Sequence, residues 1–182
     1  MFEEMALLKE AFERSAVKVI ITVENASIKL PNGGIANVKK GDEIEVPRWM
    51  ANLLDEKGIA KRKWNEVQLQ ELSKIDYKTR TVKSPREVEP LPSNFYWIWT
   101  EYLEHLEKVI KSTPDPNYIY ERKRVSEILN RIMSRRIAIL IDAILTSGVE
   151  MPSLLSKVTP EELVLLEKFQ GDFKEWKEIL NI

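Results

Sequence analysis

Histidine and cysteine, the side chains that act most often in catalysis and metal binding, are nearly absent from this chain. It has one histidine, His105, and no cysteine among 182 residues. A serine or cysteine nucleophile usually needs a histidine base, and the common zinc sites need several histidine or cysteine ligands. His105 shares the polar side of a predicted helix with Glu101 and Glu104, which is typical of a solvated histidine. We assign it no role and expect no structural metal.

Glycines and carboxylates give no stronger indication of an enzyme. A phosphate-binding loop needs glycines that lead into a helix, whereas Gly33 and Gly34 lead into residues 35–38 and are typical of a turn. Glu161 and Glu162 point apart on a helix because they are adjacent, and the helix dipole explains their place in a first turn. We expect no catalytic residue and no cofactor. An enzyme that uses only carboxylates is a third hypothesis, which loss of activity on changing one carboxylate would support.

Three arginines form the charge pattern that is best suited to contact an anionic partner. Arg124, Arg131 and Arg135 lie near one another on one face of a predicted helix. That face could meet phosphate or an acidic protein, and an ordinary solvated face is the simpler explanation. A nucleic-acid-binding module that uses this face or the β domain is therefore our second hypothesis. A steep loss of oligonucleotide affinity with added salt would support it.

Aromatic residues at helical spacing predict surfaces that pack against another element. Five aromatic residues lie between residues 95 and 102, Tyr96 among them. Helical geometry places Phe95, Trp99 and Tyr102 on one side and Trp97 away from them. Together they cover more of the helix circumference than one internal core requires, which favours a partner surface. The candidates for a core or a subunit interface are Phe95, Trp97, Trp99, Tyr102, Phe173 and Trp176.

Composition limits where the protein acts and what it binds. The formal net charge is −1 with 31% charged residues, so the chain lacks the basic excess that drives sequence-independent DNA binding. Any contact with DNA must be local and weak. The longest apolar runs, such as 137–141, are far too short to span a bilayer, and residues 1–16 do not resemble a signal peptide. Because cysteine is absent, we expect a reducing compartment, the cytoplasm, and no membrane partner.

Strand patterns occupy the first third of the chain. Residues 17–23 are rich in β-branched side chains, residues 31–34 supply the turn of a hairpin, and residues 43–46 alternate polar and apolar. These patterns predict a small β-rich domain over residues 17–63. A helical segment of unknown role over residues 1–16 precedes it.

Helical periodicity follows from about residue 64 onward. We predict helices capped by Asn65 and by Ser93, and a long central helix over residues 118–147 that Gly148 closes. The run Thr159-Pro160-Glu161-Glu162 is a capping box that opens a further helix. Gly171 is expected to end that helix, so that Phe173 and Trp176 belong to a short separate one.

The change of apolar period along the chain predicts the fold class. We expect an α+β protein that is mostly α, with a small N-terminal β-rich domain followed by a larger α-helical bundle over residues 64–182. Residues 79–93 contain three prolines among charges and are expected to form a connecting loop.

Three segments, taken in order, resemble a known family. They are IEVPRWMANLL at 44–54, where a strand meets a proline and a tryptophan-bearing helix, LPSNFY at 91–96, which opens a helical domain, and SRRIAIL at 134–140 of a central helix. With these segments the chain resembles the GINS subunits, most closely the archaeal type similar to eukaryotic GINS subunits two and three. The resemblance spans residues 17–169.

The resemblance implies a non-catalytic scaffold subunit of a DNA replication complex. It implies that the β domain precedes the helical domain, whereas the partner class of GINS subunit has the reverse order. Two copies of each class are expected to form a heterotetramer. The expected further partners are the MCM replicative helicase and a RecJ-like nuclease-family protein, with DNA contact at most weak.

Overall fold

The computed structural model describes residues 2–146 and 154–181, and the chain divides into two compact units. The small unit is Ala6–Asn65, and the helical unit is Met1–Met5 together with Glu66–Ile182. Each unit has apolar core residues of its own. Strands lie in the small unit and long helices dominate the other, which confirms the predicted fold class, α+β and mostly α.

The small unit combines two small sheets with two helices. Its elements begin with helix α1 (Phe2–Arg14), which starts in residues grouped with the helical unit, and continue with β1 (Ala16–Ile21), β2 (Asn25–Lys29), β3 (Ile35–Lys39), β4 (Glu43–Pro47), α2 (Arg48–Glu56) and β5 (Ala60–Arg62). One antiparallel sheet has the order β4-β1-β5, and β2 pairs with β3 in a separate hairpin. The predicted turn at residues 31–34 joins the two strands of that hairpin, and Gly33 adopts the positive φ of 84° that glycine allows there.

Every second side chain of β1 points into the core of the small unit. Val17, Val19 and Ile21 are buried, while Lys18 between them is exposed, as expected for a strand with one face in a core. Helix α2 begins directly after Pro47 and buries Met50, Ala51 and Leu54 in the same cluster. Together these side chains form one continuous core of the small unit.

Helices and one short 3₁₀ turn form the helical unit. Its elements are α3 (Leu69–Thr81), a 3₁₀ turn (Pro85–Glu87), α4 (Phe95–Ser112), α5 (Pro116–Thr146) and α6 (Pro160–Ile179). Helix α5 has 31 residues and is therefore about 46 Å long. Its apolar face packs with Leu72 of α3 and with Phe95 and Trp99 of α4 in one cluster, and with Leu166 of α6 in another.

Two predicted helix caps are wrong by a few residues. Helix α3 begins at Leu69 with Gln68, not Asn65, at the N-cap, because an extended approach lets the half-buried Val67 pack against the core. Helix α4 is preceded by Asn94 rather than Ser93. Asn94 has a φ of 57°, a left-handed conformation that asparagine tolerates better than most residues. The predicted closing residue of the central helix, Gly148, lies outside the described residues.

The predicted end of the last helix is also wrong, and this difference changes the candidate site. Helix α6 continues through Gly171 and ends at Ile179. A glycine inside a helix costs only about 1 kcal/mol relative to alanine. Contacts on both sides compensate, since Lys168 pairs with Asp172 at 2.6 Å and the rings of Phe169 and Phe173 stack across the same turn. Phe173 and Trp176 therefore belong to one helix with the capping box.

Candidate functional site

Arg136 and Glu162 form the contact that fixes the start of helix α6 on helix α5. Their side chains are only 4% and 2% exposed, and Arg136 donates from Nε to Glu162 Oε1 at 2.6 Å and from Nη2 to Oε2 at 2.9 Å. Burial alone would lower the pKa of Arg136, but its hydrogen bonds to Glu162 and the charge of that carboxylate raise it. The guanidinium therefore stays charged inside the helical unit.

Additional hydrogen bonds satisfy the remaining polar atoms of this pair. Arg136 also donates to the main-chain carbonyls of Glu89 at 2.8 Å and Lys157 at 3.1 Å. Glu162 accepts from the hydroxyl of Tyr96 at 2.6 Å and from the main-chain nitrogen of Thr159 at 3.0 Å. The predicted capping box of α6 is confirmed, and its glutamate also holds the buried arginine.

An apolar stripe continues along helix α6 beyond this buried contact. Leu166 is buried against the α5 cluster, and the next residues on the same stripe follow at spacings of three and four. We call this continuation the α6 seam. Its members are the half-buried Phe169 and Phe173, the exposed Trp176, and the exposed Leu180 directly after the last helical residue. The stripe starts inside the helical unit and ends on its surface.

The aromatic rings of the α6 seam stack in a row that runs from the half-buried Phe169 and Phe173 to the exposed Trp176. The rings of Phe169 and Phe173 are 6.0 Å apart at 8°, and those of Phe173 and Trp176 are 5.8 Å apart at 27°. Trp176 is 53% exposed and Leu180 46%, and the neighbouring Ile179 is 72% exposed. Burying such a side chain gains about 1.5–3 kcal/mol. A surface of this kind is suited to bind a partner.

The aromatic residues of helix α4 divide between the core and a pocket. Phe95 and Trp99 are buried in the core with α5, and the half-buried Tyr102 packs against that cluster. Trp97 lies away from these three, as predicted, and lines an apolar pocket with Met133, which is in the middle of α5. Of the residues predicted for a core or a subunit interface, Phe95 and Trp99 are therefore in the core, and Phe173 and Trp176 belong to the α6 seam.

Two of the three predicted anion-binding arginines make contacts within the helical unit while they remain exposed. Arg131 makes a two-pronged contact with the buried Asp76, with Nη2 at 3.1 Å from Oδ2 and Nε at 3.4 Å from Oδ1, and this contact raises the pKa of Arg131. Arg135 donates to the main-chain carbonyl of Val82 at 2.8 Å. Arg124 is exposed on the same helix. The structure therefore explains Arg131 and Arg135 as links from α5 to α3 and to the segment after it.

The small unit has an exposed apolar pair of its own. Trp49 and Leu53 are one helical turn apart on α2 and are 45% and 42% exposed. Arg48 beside them is buried, where its guanidinium lies 4.3 Å from the centre of the Phe12 ring and its Nε donates to the Ser15 hydroxyl at 2.8 Å. Arg48 therefore stabilises the small unit, and Trp49 and Leu53 face outward.

His105 and the acidic side chains do not gather into a metal-binding group in the described residues. His105 is half-buried, and its ring stacks on Tyr102 at 6.3 Å. Over residues 2–146 and 154–181 no group of three or more acidic or histidine side chains is arranged to hold a metal ion. A cavity of about 250 Å³ between α3 and α5 is bordered by Lys78 and Arg136, whose charges are already paired with Glu89 and Glu162.

Sequence reasoning missed the Arg136–Glu162 pair, although a signal was present. Arg136 lies four residues after Ile132 and four before Leu140, so it falls within the apolar stripe of α5. A charged side chain at such a position requires a buried partner. The partner itself is 26 residues away in sequence, and the folded chain is needed to identify it.

Comparison with known proteins adds no identification. No protein-family model matches the chain, and no curated protein shows significant sequence similarity to it. Within the part of the chain that the structure describes, no helix combines the length and apolar character needed to cross a membrane.

Proposed function

We propose that this protein is a non-catalytic scaffold subunit of a GINS-type DNA replication complex in the cytoplasm. The observation that carries the proposal is the apolar surface that the helical unit leaves exposed, above all the α6 seam. Exposed aromatic and aliphatic side chains that line up on one face are typical of protein–protein interfaces, whose centres are enriched in Trp, Tyr, Phe and Met.

The placement of the three family-like segments supports this assignment. In the first segment β4 ends at Pro47 and a helix that bears Trp49 follows at once. The second segment opens α4 at Phe95, and the third lies on α5 around Arg136. The strand-bearing unit precedes the helical unit, which is the order expected for the GINS class that the sequence resembles.

The partners that follow from this proposal are proteins. A GINS subunit with the reverse domain order would bind the helical unit, with two copies of each chain in the complex. The MCM helicase and a RecJ-like protein would bind the assembled complex. Weak DNA contact would then be a property of the complex, because Arg131 and Arg135 make contacts inside this chain.

Co-expression with a candidate GINS subunit of reverse domain order, followed by native mass spectrometry, tests the proposal. We expect the two chains to purify together with a mass equal to two copies of each. The proposal is wrong if the chain purifies as a folded monomer in the presence of such subunits, or if the pure chain turns over a substrate.

A further inference from the structure

The α6 seam has the repeat of a two-stranded coiled coil. Leu166, Phe169, Phe173, Trp176 and Leu180 follow one another at spacings of three, four, three and four, which is the a/d pattern of a heptad. In this pattern Leu166, Phe173 and Leu180 occupy a positions, with Leu180 at the C-cap directly after Ile179, and Phe169 and Trp176 occupy d positions. Leu166 is buried in the helical unit, Phe173 is half-buried and Leu180 is 46% exposed, so the stripe opens to solvent toward its C-terminal end.

The residues that flank the seam distinguish between possible partner helices. Asp172 precedes the a residue Phe173 and is a g position, and Lys177 follows the d residue Trp176 and is an e position. In a parallel pair, each g position meets the e position five residues further along the other helix. Asp172 of one copy therefore meets Lys177 of a second copy, and symmetry forms this contact twice.

An antiparallel pairing of two copies loses this complementarity. There g positions face g positions and e positions face e positions, which brings Asp172 close to Ile179 and Gln170 close to Lys177. Neither contact joins opposite charges. The charge pattern thus favours a second copy in parallel orientation over an antiparallel one.

The contacts that these charges make within one chain are weak enough to be exchanged. Asp172 accepts from Lys168 at 2.6 Å, with both side chains more than half exposed, and the Lys177 ammonium lies 5.8 Å from the centre of the Phe173 ring. Exposed ion pairs of this kind contribute little to stability. Their rearrangement costs little when a second helix covers the seam.

We infer that the α6 seam binds the α6 seam of a second copy of this chain as a parallel, in-register helix pair. The inference rests on the proposed scaffold role and specifies one of its contacts. The twofold axis lies along the seam, so that each a or d residue faces its own counterpart. The aromatic side chains Phe169, Phe173 and Trp176 form the centre of the interface.

A single introduced cysteine tests the register directly, because the natural chain has none. In a parallel in-register pair, the two copies of residue 180 face each other across the twofold axis. In Leu180→Cys their Cα atoms should therefore lie within the separation of about 4.4–6.8 Å that a disulfide needs. We expect most of this variant to become a disulfide-linked dimer under mild oxidation. The matched control is Glu178→Cys, whose position faces away from the seam and should stay monomeric on a non-reducing gel. Equal cross-linking of both variants, or none at Leu180→Cys, overturns the inference.

Exchanging the charges of Asp172 and Lys177 tests which helix binds the α6 seam. By sedimentation of the full-length chain, Asp172→Lys alone and Lys177→Asp alone should each raise the dimer dissociation constant by about 2- to 10-fold, as expected for two weak ion pairs. The double variant should restore the wild-type value, since each copy again offers opposite charges. Failure of the double variant to recover affinity shows that the seam binds a different helix or an antiparallel copy, and contradicts the inference.

The two proposals fail in distinguishable ways. A heterotetramer that forms without any Leu180→Cys cross-link leaves the scaffold role intact and removes the parallel seam contact. A cross-linked pair of this chain that recruits no GINS subunit retains the seam contact and removes the proposed function.

Discussion

Arg136 connects more parts of the helical unit than its position in one helix suggests. From α5 it reaches Glu162 at the start of α6 and the carbonyls of Glu89 and Lys157 in the connecting segments. Because all of these groups are hydrogen-bonded, the buried charge is tolerated. The pair fixes the first turn of α6 and thereby the direction in which the seam leaves the helical unit.

Replacing Arg136 with methionine should destabilise the protein strongly. Removal of one partner of a buried ion pair leaves the other charge uncompensated, at a cost of about 3–5 kcal/mol. Urea denaturation followed by circular dichroism measures the change in the free energy of unfolding. The double variant Arg136→Met with Glu162→Leu should cost clearly less than the sum of the single changes. Additive effects would contradict the pairing.

The hydroxyl groups of Tyr96 and Tyr102 should make the folded protein less stable at high pH. Burial, reinforced by hydrogen bonds to Glu162 and Glu121, raises the pKa of both phenols above the ordinary value of about 10. The folded state therefore holds these protons more tightly than the unfolded state. The corresponding stability is complete below about pH 10 and is lost as the pH rises toward the folded pKa values.

Thermal melts between pH 8 and pH 11 measure this loss. We expect the melting temperature to fall above about pH 10, and Tyr96→Phe to flatten the fall because one titrating group is removed. Tyr77→Phe, which removes the hydroxyl of an exposed tyrosine, is the matched control measured in the same way. An unaltered slope in Tyr96→Phe would show that Tyr96 is not protected by burial.

At the scale of single residues the sequence predicts local roles better than distant pairings. The capping role of Glu162 follows from the run Thr159-Pro160-Glu161-Glu162, because all four residues are neighbours. The bonds of Glu162 to Arg136 and Tyr96 join residues 26 and 66 positions apart. Such pairings depend on how the helices pack, which no local pattern specifies.

Helix α6 shows where element boundaries resist prediction from sequence. Glycine is the residue type that most often ends a helix, yet helix α6 continues past Gly171 to Ile179. The cost of one internal glycine is about 1 kcal/mol, and the flanking stack and ion pair offset it. A glycine predicts the end of a helix well only where no side-chain contacts join the residues on its two sides.

Gly171→Ala should stabilise the protein by about 0.5–1 kcal/mol if α6 is continuous. A Cβ atom at this position meets nothing within 4 Å, so only the gain in helix propensity remains. The change in unfolding free energy is measurable by urea denaturation. A loss of stability would indicate that residue 171 needs a conformation that only glycine adopts.

Trp99 and Trp176 should respond differently to the same substitution. Trp99 is 5% exposed in the core between α4 and α5, and Trp99→Ala should destabilise folding by about 3–5 kcal/mol. Trp176 is 53% exposed, so Trp176→Ala should change the unfolding free energy of the isolated chain by less than about 1 kcal/mol. Urea denaturation at low protein concentration separates the two, and a large effect of Trp176→Ala would place that side chain in the core.

For the whole molecule, the change in apolar period predicts a strand-bearing unit followed by a helical one. The sheet order β4-β1-β5, with β1 between two strands that follow it, is not predictable from the strand patterns, because pairing depends on the path of the connecting segments. Aromatic residues at helical spacing identify both the core and the seam. Their burial separates the two roles: Phe95 and Trp99 are inside, and Trp176 is outside.

We propose that this chain acts by binding proteins through apolar helix surface that it cannot bury itself. The most direct test is the native mass of the chain co-expressed with a GINS subunit of reverse domain order, for the wild type, Phe173→Ala with Trp176→Ala, and the control Tyr77→Ala. We predict a complex with two copies of each chain for the wild type and the control, and a smaller species for the seam variant. A folded wild-type chain that remains monomeric beside such a subunit would contradict the claim.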